Sequence, residues 1–244
     1  MAVFSFAIWF LYPFLTYKFF IYSVKELRPY SEIKPTYIEN LLSPQKDWDE
    51  INIGELRFKL PLQKCVKVFD GNNFIVFKFE SGVLSINEIA PTKEIIEILD
   101  EKKINYPVIS YPQYLAIFKS TPSDISLFNT RSKNKQASAN QILKVLRVPS
   151  VGLHEINIVN PDILKAICLK SEARKRGYTA SVHIYSQNEA MSFHIMLMNY
   201  NDKDRLDTDL IKILGGLNVP NHPLDIEIVE KDIKEIIEKF NAKT

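Results

Sequence analysis

The sequence has few of the residues on which common catalytic and ligand-binding motifs depend. It contains 7 glycines, 2 cysteines and 4 histidines in 244 residues. No phosphate-binding Gly-rich loop, Gly-x-Ser-x-Gly elbow, His-Glu-x-x-His pair or Cys-x-x-Cys pair occurs. The enzyme classes that use these motifs are therefore excluded, and no cofactor is indicated. An enzyme built from dispersed polar residues is still compatible with the sequence.

Charge of one sign and closely spaced cysteines are also scarce. The formal net charge of +2 is too small to indicate a nucleic acid partner. Cys65 and Cys168 lie far apart in the chain, so they fit either two thiols in a reducing compartment or one disulfide in an oxidising one. No cysteine precedes Cys65, so we expect no thiol-linked lipid anchor.

The most informative segment is the apolar N-terminus. Residues 1–24 contain a single ionisable side chain, that of Lys18. As a helix, residues 2–24 extend about 34 Å, which is enough to cross a hydrocarbon core about 30 Å thick. Apolar residues surround this helix instead of forming one stripe, which favours lipid over docking on the protein's own core. The sequence predicts that residues 1–24 are a transmembrane helix that contacts membrane lipid.

The charges around this segment predict its orientation. Residues 1–17 contain no Lys or Arg, and no small-residue cleavage site follows the apolar run, so we expect a retained single-pass anchor and not a cleaved signal. Four cations lie at its C-terminal side: Lys18, Lys25, Arg28 and Lys34. The positive-inside rule then places the following domain on the cytoplasmic side of the membrane.

The rest of the chain is predicted to be a tether followed by one soluble domain. Residues 25–50 carry three prolines among polar residues, which indicates an extended tether with one helical turn at 37–42. Residues 51–244 are predicted to form a single α+β domain, in which an antiparallel sheet of two hairpin or meander units packs with several helices. Alternating apolar residues and turn signals predict the strands, at 56–60, 65–69, 74–79, 83–89, 154–159, 179–186 and 191–199.

Apolar spacing and capping residues predict the helices. The clearest signal follows Asn160, where an N-cap, Pro161 and Asp162 precede a run that ends in cations before Gly177. Thr121 and Asp124 can form a capping box. Residues 129–139 are predicted to be a loop. The predicted helices span 92–103, 112–119, 122–128, 141–146, 161–176, 207–214 and 229–240.

Two histidines form the sharpest candidate site. If Gln187 and Ala190 close the hairpin turn, His183 lies opposite His194 and both imidazoles leave the same face of the sheet. Tyr185 follows on that face, so we predict that these three side chains contact a ligand. Two imidazoles are too few for an ordinary zinc site, and an ordinary half-exposed sheet face is the alternative. A register slip of one residue would separate the pair.

A basic segment is the second candidate. Residues 125–154 contain no Asp or Glu. On a protein tethered to a bilayer such a segment can lie on anionic headgroups, although a solvated loop explains it as well. The predicted membrane-surface residues are Arg131, Lys133, Lys135, Lys144 and Arg147.

Three functions are compatible with these features. The first is a membrane-anchored, non-catalytic domain that binds or positions a protein partner of unknown identity. The second is a ligand-binding or sensory domain that uses the sheet face with His183 and His194. The third is a hydrolase with dispersed catalytic residues. A pocket beside the two histidines would favour the second function, and a flat apolar patch would favour the first.

Overall fold

The computed structural model describes residues 12, 15, 32–70, 74–88, 110–126, 129–147, 152–173, 177–189, 192–222 and 224–242. These residues form an α+β fold with a large mixed sheet and four helices, so the α+β class is confirmed. The sheet is mixed, where a purely antiparallel sheet was predicted, and the described residues do not support the predicted N-terminal transmembrane helix. The chain divides into two compact units, Met1–Thr36 with Ile109–Ile156 and Tyr37–Val108 with Asn157–Thr244. The predicted boundaries, namely an anchor at 1–24, a tether at 25–50 and one domain at 51–244, stay predictions.

The predicted anchor lies almost entirely outside the described residues. Of positions 1–24 the structure describes Tyr12 and Leu15, and both are helical and exposed. No helix in the described part of the chain combines the length and the apolar character that a bilayer crossing requires. The helix predicted at 92–103 also lies outside the described residues.

Eight strands form the large sheet, in the order β1-β7-β8-β9-β10-β6-β5-β4. The strands β1 and β7 begin in the first unit and end in the second, and the other six belong to the second unit. The bounds are β1 Thr36–Ile38, β4 Cys65–Asp70, β5 Phe74–Phe79, β6 Gly82–Glu88, β7 Leu153–Val159, β8 Lys165–Ala173, β9 Gly177–Tyr185 and β10 Ser192–Tyr200.

The strand pairs confirm the predicted hairpins and change how they combine. β4, β5 and β6 form the meander, and β9 and β10 form the second hairpin in the predicted register. Because β10 also pairs with β6, the meander and the second hairpin are parts of one sheet. The helical turn predicted at 37–42 is wrong, since Thr36–Ile38 is a strand.

One face of this sheet carries the core of the second unit. A two-stranded sheet of β2 (Asp49–Ile53) and β3 (Leu56–Leu60) and the helices α3 (Lys203–Gly215) and α4 (Ile226–Asn241) pack there. The alternating residues of β9 and β10 that point to this core are Ala180, Val182, Ile184, Phe193, Ile195 and Leu197. Their neighbours along each strand therefore point to the opposite face.

The helix predicted at 161–176 is wrong, because the chain makes one turn there and then forms β8. The Asn160 side chain accepts a hydrogen bond from the Asp162 amide at 3.1 Å, as an N-cap would. The Leu164 amide donates to the Asn160 carbonyl at 3.0 Å and completes the turn. Both faces of β8 are buried, with Cys168 on the core side and Ile167 and Leu169 on the other. Burial of both faces removes the alternation that identifies a strand.

In the described part of the first unit, two helices flank a short turn. α1 (Tyr111–Lys119) matches its prediction, and Thr121 and Asp124 form the predicted capping box with the Thr121 amide 2.6 Å from the Asp124 carboxylate. The helix predicted at 122–128 is a single 3-10 turn, Pro122–Asp124. The loop predicted at 129–139 is also wrong, because α2 spans Arg131–Arg147.

The buried side of α2 explains this second error. Among the side chains of α2 that the structure describes, the fully buried ones are polar, namely Asn134, Ser138, Gln141 and Lys144. A search for apolar periodicity finds no stripe in such a helix, and only its last turns, near the predicted 141–146, carry an apolar signal.

Candidate functional site

The predicted imidazole pair lies in the middle of the large sheet. His183 of β9 is the register partner of His194 of β10, and their ring centroids are 4.9 Å apart with an interplanar angle of 34°. Both side chains are half-buried. The strand alternation places Ser181 and Tyr185 on the same face, and each is 7% exposed. Ser181, His183, Tyr185 and His194 are called the histidine face below.

A hydrogen bond inside the histidine face was not predicted. The Ser181 hydroxyl lies 2.7 Å from Nε2 of His194. Ser181 precedes His183 by two residues, so the predicted register places it diagonally across from His194, within reach of a long side chain. The signal was therefore present in the sequence, as a serine at alternate spacing from a histidine in a hairpin.

Burial sets the charge state of His194. It lowers the pKa of the imidazole below its ordinary value, so the neutral ring is favoured near neutral pH. The cross-strand neighbours of the pair are Asn87 beside His194 and Ile167 beside His183, and neither carries a carboxylate.

The histidine face can donate and accept hydrogen bonds but offers a poor cation site. Neutral imidazoles present one donor and one acceptor nitrogen each, and a hydroxyl presents both functions. Among the described residues no group of three or more His, Cys, Asp or Glu side chains converges. A zinc ion would find two imidazoles where a structural or catalytic site usually has three or four protein ligands.

The contact between Ser181 and His194 has the distance of a nucleophile and its base, but its surroundings do not suit acyl transfer. β9 is hydrogen-bonded on both sides, to β8 and to β10. The backbone amides near Ser181 are therefore committed to the sheet and are not directed at a developing oxyanion. This geometry favours binding over hydrolysis.

The predicted basic residues all belong to helix α2 but differ in their exposure. Lys133 and Lys135 are exposed and Arg131 is half-buried, while the side chain of Arg147 lies outside the described set. Lys144 is wrongly predicted as a membrane-surface residue, because its side chain is fully buried. Its ammonium donates to the carbonyls of Ile33 at 2.6 Å and Ser120 at 2.9 Å.

An open cleft of about 590 Å³ lies between α1 and α2. Two lysines, Lys119 and Lys133, and one acid, Asp124, line it together with small polar side chains. The cleft is backed by Ser120, whose hydroxyl accepts from the Gln141 amide at 2.8 Å. It is shallow and polar, so it resembles a solvated surface groove more than an enclosed ligand pocket.

Cys65 and Cys168 are both thiols and are not joined by a disulfide. Cys168 is buried within β8, and Cys65 is half-buried at the start of β4. Burial raises the pKa of the Cys65 thiol, which donates to the carbonyls of Lys67 and Lys78. A thiol with a raised pKa is a weak nucleophile, so neither cysteine extends the candidate site.

Known proteins add no functional assignment. No protein-family model matches the chain, and no curated protein is significantly similar to it.

Proposed function

We propose that this chain is a membrane-anchored, non-catalytic binding domain that takes a small carboxylate-bearing ligand at the histidine face. The observation that carries the proposal is the cluster of His183, His194 and Ser181 in the middle of a rigid sheet. Three hydrogen-bonding side chains converge there on strands, which hold a binding site more precisely than loops do.

The charge of the cluster favours an acid as the ligand. Protonating two adjacent imidazoles costs free energy, and burial adds to that cost at His194. A carboxylate placed between the rings would offset both costs, since it supplies a counter-charge to the imidazolium. Ligand binding would then take up a proton. The affinity should therefore rise as the pH falls through the ordinary histidine range.

The anchor is the second part of the proposal. Residues 1–24 are proposed to cross the membrane as a single helix, because they are long enough and contain only Lys18 as an ionisable side chain. The cations that follow favour a cytoplasmic position for the folded units.

Nuclear magnetic resonance of the imidazoles tests the binding site. The full chain, labelled at histidine and held in neutral lipid nanodiscs, is titrated with acid in the presence of citrate or of chloride at the same ionic strength. Citrate should raise the pKa values of His183 and His194 relative to chloride, because a bound carboxylate stabilises the imidazolium. His154 and His222, which are exposed, provide the internal comparison.

Two substitutions make the titration specific. His194→Gln removes one ring and should abolish the citrate effect on His183. Met196→Leu changes the next residue of β10 on the same face and should preserve it, since Met196 is half-exposed and pairs with Ser181. Equal citrate effects on all four histidines, or none on His183 and His194, would refute the carboxylate site.

A protein partner is the second candidate function, and the edge strand β4 favours it. Val66 is 55% exposed and Phe69 is 38% exposed, with the Lys67 ammonium 5.6 Å from the Phe69 ring centroid. Aromatic and aliphatic side chains beside a cation are common in protein interfaces. The register irregularity between Cys65 and Lys67 and the exposed lysine are, however, also devices that protect a sheet edge from pairing. A partner here would leave the imidazole titration unchanged.

A further inference from the structure

We propose that helix α2 docks on the anionic lipid headgroups of the membrane that holds residues 1–24, with Arg131, Lys133 and Lys135 as its contacts. This inference rests on the anchor part of the proposed function and is independent of the histidine face. The occupant is the bilayer surface itself, recognised by its negative charge.

The first supporting observation is the connection between α2 and the chain that follows the anchor. The Lys144 ammonium holds the carbonyl of Ile33, and Ile33 lies nine residues after Val24, where the apolar run ends. Nine residues span at most about 31 Å even when fully extended. This charge-assisted hydrogen bond therefore attaches α2 to Ile33, which lies at most about 31 Å along the chain from the end of the proposed anchor.

The second observation is the exposed side of α2. Ser132, Lys133, Lys135, Gln136 and Ala139 are exposed, and Arg131 is half-buried at the helix start. These described side chains are polar, cationic or small, so they favour contact with headgroups over insertion between lipid tails. The cations among them are attracted electrostatically to anionic headgroups, and salt screens that attraction.

The third observation is the balance of charge around the helix. The segment 125–154 contains no acidic residue, and the nearest described acid of the cleft, Asp124, uses its carboxylate to accept from the Thr121 amide. Lys119 lies across the cleft from Lys133 and adds to the positive field. Among the described residues, the cations Lys119, Arg131, Lys133 and Lys135 therefore outnumber the one acid of the cleft, Asp124.

Amine footprinting of the full chain in nanodiscs tests the docking. Discs of neutral phosphatidylcholine are compared with discs that also contain phosphatidylglycerol, and an uncharged acetylating reagent is used with mass spectrometry to measure each lysine. Lys133 and Lys135 should react several-fold more slowly on the anionic discs, and high salt should remove the difference. Lys234 and Lys239, exposed on α4, should react equally on both.

A charge reversal with a matched control completes the test. Arg131→Glu should lower the docked-to-free ratio about 30-fold, since each cation near an anionic surface contributes about fivefold and the reversal removes two charge units. Arg57→Glu, at an exposed position of β3, should leave the protection unchanged. Equal acetylation on both kinds of disc overturns the docking while the anchor stands. Failure of the chain to enter either disc overturns the anchor and the docking together.

Discussion

At the residue scale, Lys144 is the side chain with the most unusual surroundings. Its ammonium is fully buried and donates to two main-chain carbonyls, those of Ile33 and Ser120. Burial lowers the pKa of this ammonium to about 8, while the more distant Asp124 carboxylate raises it slightly. Enclosing this cation costs free energy, and its two hydrogen bonds hold the chain at Ile33 and Ser120 against α2.

The lowered pKa makes stability depend on pH in a defined window. Between about pH 8 and the ordinary lysine value of 10.5, the unfolded chain binds more protons at Lys144 than the folded chain does. The free energy of unfolding therefore increases as the pH rises through this window. Below the window, the full free-energy cost of burying the charged ammonium applies. Lys144→Met should flatten this rise in the melting temperature of the full chain in detergent micelles.

A matched substitution separates this effect from the titration of other groups. Lys119→Met removes an exposed lysine of α1 and should leave the slope of melting temperature against pH unchanged. Parallel curves for the wild-type protein and Lys144→Met would show that Lys144 keeps its ordinary pKa in the fold.

At the element scale, one enclosed ion pair joins α3 to the sheet beside the apolar packing of Leu206, Leu210 and Leu214. The Lys170 ammonium of β8 points to the core side and lies 2.8 Å from the Asp207 carboxylate of α3, with 5% and 28% of the two side chains exposed. Removing one member of such a pair leaves a buried charge without its counter-ion, which costs far more than the pair itself contributes.

This asymmetry predicts the outcome of a double-mutant cycle. Asp207→Ala should destabilise the protein by about 3 kcal/mol, because the Lys170 ammonium stays buried. Adding Lys170→Met should recover most of that loss, which thermal unfolding of the three variants measures. Glu235→Ala breaks the exposed pair with Lys231 on α4 and should change stability by less than about 0.5 kcal/mol. If Lys170→Met fails to rescue Asp207→Ala, the loss has a different origin, such as packing of α3.

The elements also show what the sequence can and cannot predict. The β9–β10 hairpin is predictable to the residue, because alternation and a short turn agree on one register, and this register carries His183 and His194. β8 is not, since Ile167, Cys168 and Leu169 are buried on both faces and resemble a helix interior. α2 is not predictable from apolar periodicity, since the buried side chains that the structure describes on it are polar. Periodicity therefore fails where a strand is buried on both faces and where a helix buries polar side chains.

At the scale of the whole molecule, long-range contacts determine what sequence patterns leave open. The pairing of β6 with β10 joins the meander to the hairpin and places the imidazoles in the middle of a sheet. The hydrogen bond between Lys144 and Ile33 joins positions 111 residues apart. Lys144, which was predicted to lie at the surface, is therefore a buried residue that holds two chain segments together. Neither contact has a local signal in the sequence, because each joins residues that lie far apart in the chain.

The membrane anchor at residues 1–24 is the claim on which the proposed location and the docking of α2 both depend. Extraction of membranes with alkaline carbonate tests it most directly in cells that produce the full chain. A helix across the bilayer keeps the protein in the sedimented membranes through the carbonate wash and releases it only into detergent. Complete release of the protein into the carbonate supernatant would show that residues 1–24 do not span the bilayer.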